Sequence, residues 1–391
     1  MRNMLGPAFL SLGFRPFFLA AGTWALVAIV LWVCVLQGDL VLPTRFAPVA
    51  WHVHEMLFGF AMAAVAGFLL TAIPNWTGRP PVAGWRLGGL LGLWALGRVV
   101  CLVSAWMPAW VSVAGDMAFP VALTLVATRE IVAARNWRNL MPMAPVGLFG
   151  LANLLMHIEA MDANVATGLG WRIGLVAALI LISIIAGRIV PAFTRNWLVK
   201  RGPQIPPLQH GWLDRVALGV LHIGLVAWAI WPDARLPGFV LIAGGALHGW
   251  RLVRWRGFAT GAEPLLAILH VAYAWLVVGV VLLGVSRLDS AVPVTAAVHA
   301  LTAGAIATMI LAMMTRVSLG HSGRALTAGR TTVAIYGLGI LAALTRVGAA
   351  FAGDRTMTLA IVAAVFWIAA FAVFLVVYGR IFLTTVRRGP Q

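Results

Sequence analysis

Residues 17–36 read FFLAAGTWALVAIVLWVCVL, an unbroken run with no charged residue. As a helix rising 1.5 Å per residue it is about 30 Å long, the thickness of a bilayer's hydrocarbon core. The run is too long for the apolar region of a cleavable signal, and no small-residue cleavage site follows it, so it reads as a first membrane span. Similar runs, punctuated by Pro, Gly and Arg, recur along the chain. They predict twelve helices, at 17–37, 52–73, 85–106, 111–133, 142–160, 171–190, 213–231, 236–252, 264–285, 293–315, 328–350 and 357–383. Pro108, Pro142, Pro237 and Pro293 mark the first turns of four of them, where a backbone N–H is not needed.

Composition agrees with the pattern. The 391 residues are 62% hydrophobic and 10% charged, with a mean hydropathy of +0.96. A soluble domain carries roughly 25% charged residues. A soluble globular enzyme, a disordered chain and a secreted disulfide scaffold are excluded. The expectation is an all-α membrane protein, residues 1–391 forming a single polytopic transmembrane domain embedded in the lipid bilayer.

The net charge of +17 comes from 28 basic and 11 acidic residues. With loops assigned alternately, 21 basic residues fall on the side holding both termini and 6 on the other, while Arg98 lies inside a span. That bias places both termini in the cytoplasm and makes the charge an orientation code, with no nucleic acid behind it. Cys34 and Cys101 sit in apolar runs without a CxxC or CxxCH, which argues against a disulfide framework, a thiolate zinc site and covalent haem. The longest connection, 188–212, contains Pro191, Pro203, Pro206 and Pro207 and reads as a stiff cytoplasmic loop.

Three even-numbered helices end alike, at Thr71–Trp76, Thr194–Trp197 and Thr315–Ser318. Laid on Asn75, Asn196 and Val317 they are 121 residues apart, the length of four spans with loops, which suggests three four-helix repeats. On that spacing His54 corresponds to position 296, three residues short of His299.

In such a chain the histidines carry the information, because an ionisable side chain within a membrane needs a cavity, a partner or a metal. His52, His54, His157 and His299 fall towards the outer ends of helices two, five and ten, with Glu55 beside the first pair. His52 and His54 diverge by about 200° on a helix, so they face one site as ligand and support, or two different sites. Small-residue stripes follow His54 and His299 and serve either close helix packing or a flat macrocycle. His210, His248, His270 and His321 fall towards the cytoplasmic ends, near Arg188, Arg195, Arg251 and Arg316, which suit propionates, phosphate or lipid head groups. His222 stands alone in mid-helix, where a satisfied core histidine and a ligand are equally open readings. Neutral imidazole is a good ligand for haem iron and for copper, and no Cys or Asp/Glu cluster competes for that role. The metal-ligand candidates are His54, His157, His248, His270, His299 and His321. His52 and Arg316 are further cofactor contacts, and Glu55 is a candidate proton carrier.

Several strings resemble one family: FRPFF at 14–18, WHVHEMLFG at 51–59, TAIPNWTGRPP at 71–81, GRIVPAFTRNWL at 187–198 and TRVSLGHSGR at 315–324. They are similar to the NnrS family, and the likeness covers nearly the whole chain. The resemblance implies a polytopic membrane protein with haem b and copper, associated with nitric oxide metabolism and resistance to nitrosative stress. It implies the cytoplasmic membrane of a bacterium, nitric oxide as small ligand, and a quinol or another membrane electron donor if the protein is a haem-dependent nitric oxide oxidoreductase. His54 or His52 with His299, or His157 as alternative, would then ligate iron, and copper would use remaining histidines with Met56. A twelve-helix transporter of a metal, haem or small anion, without redox chemistry, is the competing reading. A sensor or assembly factor acting through a partner protein is the third.

Overall fold

A computed structural model describes residues 8–202 and 211–384. Among these residues every regular element is helical, and twelve helices are long and apolar enough to cross a membrane. They are α1 (Phe14–Gln37), α2 (Pro48–Thr77), α3 (Trp85–Leu102), α4 (Ala109–Ala133), α5 (Trp137–Glu159) and α6 (Leu169–Val199). Then come α7 (Trp212–Ile230), α8 (Arg235–Arg254), α9 (Pro264–Val285), α10 (Val294–His321), α11 (Arg330–Ala349) and α12 (Gly353–Leu383). The protein is thus an all-α, multi-pass membrane protein, as its sequence predicts.

The largest correction to the predicted spans concerns α6, which continues to Val199 with Pro191 inside it. A proline removes the hydrogen bond to the carbonyl four residues earlier, here Gly187. That carbonyl instead accepts from Arg251 Nη2 at 3.4 Å, and the helix runs on. Residues 188–199 are therefore helix and not loop. Pro74 and Pro120 also lie inside helices, and α10 extends past 315 to His321. Pro203, Pro206, Pro207 and His210 lie outside the described residues.

The chain forms two compact units. The first comprises residues Met1–Ala177, Met314–Leu326 and Phe371–Gln391. Here α1 packs closely on α2, because Gly67 leaves room for Phe18: a Cβ at Gly67 would lie 2.6 Å from that ring. The Phe14 N–H donates to Thr71 Oγ1 at 2.8 Å. Arg15 Nη1 donates to the carbonyls of Ile381 (2.9 Å) and Thr384 (2.6 Å). Those carbonyls end α12 and have no partner within the helix, so the arginine of the FRPFF string caps the last span.

The second unit comprises Ala178–Met313 and Thr327–Ala370. In it α7 packs on α8, α8 on α9, and α9 on α10. The α8–α9 crossing is so close that a Cβ on Gly238 would lie 2.8 Å from the carbonyl oxygen of Gly284.

Two helices widen to π geometry at one place each. Residues Glu55–Ala61 of α2 and Ala300–Ile306 of α10 form wide π-turns, each starting directly after a histidine, His54 or His299. Both helices end at a left-handed glycine, Gly78 (φ 69°) and Gly323 (φ 70°). Histidine, π-turn and glycine are each 245 residues apart, so the register relating α2 to α10 is 245 and not the 242 read from the end motifs. The middle member, α6, has neither a histidine nor a π-turn.

Candidate functional site

In the first unit four helices each direct polar side chains into one buried group. The π-turn at Glu55 rotates the helix about this point, and such turns concentrate at functional sites. His54 and Glu55, neighbours in sequence, both reach the group from α2, and both are fully buried. From α3 come Arg98 and Cys101, three residues apart and so on one helix face. From α4 comes Asp116, and from α5 come Asn153 and His157, again one turn apart. Gly97 makes the approach of α4 feasible, since a Cβ there would lie 2.5 Å from Asp116 Oδ1.

Asp116 is the centre. Its Oδ2 lies 3.1 Å from His54 Nε2 and 3.1 Å from His157 Nε2, and accepts from Asn153 Nδ2 at 2.7 Å. Arg98 Nη2 donates to its Oδ1. Arg98 Nη1 donates to Glu55 Oε2 at 2.6 Å, and Glu55 Oε1 lies 3.1 Å from His54 Nδ1. Both ring nitrogens of His54 thus face carboxylate oxygens, and Nε2 also meets Asn153 Oδ1 at 2.7 Å. Arg98 faces both carboxylates, so the buried charges are paired, which is how charges persist away from water. Phe46 stacks on His54 at 4.6 Å, and Phe58 and Phe149 extend the aromatic wall.

The ligand atoms of His54, Cys101, Asp116 and His157 all lie within 4.8 Å of one another. This corrects the expectation that no Cys or Asp/Glu cluster would compete with the histidines. Asp116, Cys101 and Arg98 come from separate apolar helices and meet only in the fold. The one signal in the sequence was three polar side chains, Arg98, Cys101 and Asp116, stranded in apolar runs. The His52 ring stacks on Trp32 at 4.6 Å, so the two histidines of the WHVHEM string face different places.

The second unit holds another polar group. Arg251 Nε donates to Asp214 Oδ1 at 2.7 Å, and its Nη1 donates to the Tyr273 hydroxyl at 2.9 Å. Tyr273 meets His248 Nδ1 at 2.7 Å, while His248 Nε2 meets the Ala217 carbonyl at 3.1 Å. A carbonyl only accepts, so Nε2 carries the proton and Nδ1 accepts from the phenol. Both nitrogens of His248 are therefore engaged with protein.

The remaining candidates are dispersed. His222 Nε2 pairs with Ser183 Oγ at 2.8 Å. His270 Nε2 meets Thr194 Oγ1 at 2.9 Å, and its buried Nδ1 has no hydrogen-bond partner. His299 Nδ1 donates to the Thr295 carbonyl at 2.6 Å. His321 is exposed beside Phe14, and Arg316 is half-buried near the end of α10. The structure brings His54 and His157 together, and places His248, His270 and His299 in the second unit.

No curated protein matches the chain. The description "NnrS protein" belongs to the family that matches residues 8–385, nearly the full length. That span contains all four helices of the Asp116 group and both π-turns, and the chain is a member of the NnrS family.

Proposed function

We propose that this chain is a haem- and copper-binding protein of a bacterial cytoplasmic membrane, acting in nitric oxide metabolism or nitrosative-stress resistance. Family membership supplies the context. The observation that carries the reading is the buried group around Asp116, since ionisable side chains placed together inside spans mark functional sites.

Two histidine environments suit the two cofactors. His54 and His157 turn Nε2 towards one carboxylate oxygen in a dry aromatic pocket, which suits copper. Glu55 holds His54 from the other nitrogen and Arg98 holds Asp116, so both act as positioning residues. At His299 the Nδ1–H donates to a backbone carbonyl and leaves the Nε2 lone pair, so this residue would hold the haem iron. Trp275 fills the small-residue stripe at Gly304, where a Cβ would lie 2.6 Å from its ring, so the stripe serves helix packing there and a haem at His299 would lie outside it. When bound, haem iron supplies a coordination position for nitric oxide, and copper supplies a one-electron couple.

The test is the visible spectrum and metal content of the purified protein from haem- and copper-replete cells. A Soret band lost in His299→Ala and kept in His222→Ala is expected, with copper lost in His54→Ala and His157→Ala. A colourless, metal-free protein overturns the reading, and substrate flux by that protein in proteoliposomes establishes a transporter instead.

A further inference from the structure

Resting on the reading that the protein holds copper, we propose that its ligands are His54, His157, Asp116 and Cys101, a mixed set of two imidazoles, a carboxylate and a thiolate. Geometry favours this set. With bonds of about 2.0–2.1 Å to nitrogen and oxygen, neighbouring ligands of a tetrahedral ion stand roughly 3.3 Å apart. His54 Nε2 and His157 Nε2 each stand 3.1 Å from Asp116 Oδ2. The Cys101 sulfur completes the group within 4.8 Å, from the same face of α3 as Arg98.

Charge favours it too. Asp116 and a Cys101 thiolate bring two negative charges, which a divalent ion cancels, while Arg98 and Glu55 cancel each other. The surrounding bonds are those of a metal site. Glu55 fixes the His54 ring through Nδ1 and turns Nε2 into the group, where an ion would take the place of its 2.7 Å contact with Asn153 Oδ1. Arg98 takes Asp116 Oδ1, so that Oδ2 faces the two imidazoles, with Asn153 Nδ2 as a further donor to it. Nitrogen and thiolate donors together select copper or zinc over magnesium, calcium or manganese.

The experiment uses full-length purified protein: elemental analysis together with X-ray absorption at the metal edge. Besides the haem iron, one metal ion per chain is expected, with a sulfur neighbour at about 2.3 Å. Cys101→Ser keeps the shape of the side chain, so it should lose the sulfur neighbour and lower metal occupancy at least tenfold. His270→Ala should retain both. Metal bound with nitrogen and oxygen neighbours alone, unchanged in Cys101→Ser, overturns the ligand set and leaves the functional reading standing. Zinc in place of copper, with the sulfur present, supports the ligand set and removes copper from that reading. Haem without any further metal overturns the ligand set, and absence of both overturns both.

Discussion

Each unit buries an arginine against an aspartate with a histidine nearby, yet the two groups have different capacities. Around Asp116 the two histidine Nε2 atoms and Asn153 Nδ2 all turn inwards on one oxygen. Around Arg251 the contacts run outwards, to Asp214, Tyr273 and the carbonyls of Ser183 and Gly187. The second group closes a helix at Pro191 and holds His248 by both nitrogens. The same residue types therefore make a candidate ligand set in one place and a clamp in the other. What separates them is that two imidazoles, a carboxylate and a thiol meet at one point in the first group, while in the second a single histidine is held by a hydroxyl and a carbonyl.

The sharpest way to break this comparison is to remove each arginine. Arg98→Ala takes one guanidinium from two buried carboxylates at once, Glu55 and Asp116, and should cost about 3–5 kcal/mol, together with the metal. Arg251→Ala should fall towards the low end of that range, because Asp214 keeps Arg254 at 3.5 Å and the Gly211 N–H at 2.9 Å. Its metal content per folded molecule should stay at the wild-type level. Thermal unfolding in detergent beside elemental analysis reads both; loss of metal in both variants would erase the distinction.

Tyr273→Phe leaves His248 Nδ1 without its donor and should cost about 1–3 kcal/mol, with an unchanged metal content and haem spectrum. The paired glycine substitutions sharpen the contrast at a similar magnitude. A Cβ at Gly97 meets Asp116 Oδ1, and one at Gly187 meets Arg251 Nη2 at 2.6 Å. Each overpacking should cost about 1–3 kcal/mol, and only Gly97→Ala should also lower metal occupancy. Smallest is His222→Ala, at about 0.5–1.5 kcal/mol for one hydrogen bond to Ser183, with no spectral change.

The twelve spans were legible because each apolar run has the length a bilayer demands. The end of α6 was not, because a proline signals a lost hydrogen bond and cannot announce that an arginine from α8 will compensate. His54, His157 and Glu55 stood out as costly residues in apolar helices. Asp116, Arg98 and Cys101 did not, because a lone polar residue acquires meaning only when the register of its neighbours is known. Asn153 gave even less signal, being uncharged. The relation of α2 to α10 was visible in their endings, but the π-turns and left-handed glycines that fix the spacing are conformations, and no residue type spells them.

The cap on α12 has a consequence for the order of synthesis. Arg15 satisfies the Ile381 carbonyl across 366 residues. At about 5–20 residues per second, α1 waits on the order of tens of seconds in the membrane before that partner is made. The opening span is thus secured by the closing one, and a ribosome that stops short of Leu383 leaves the first unit with an arginine that has nothing to hold.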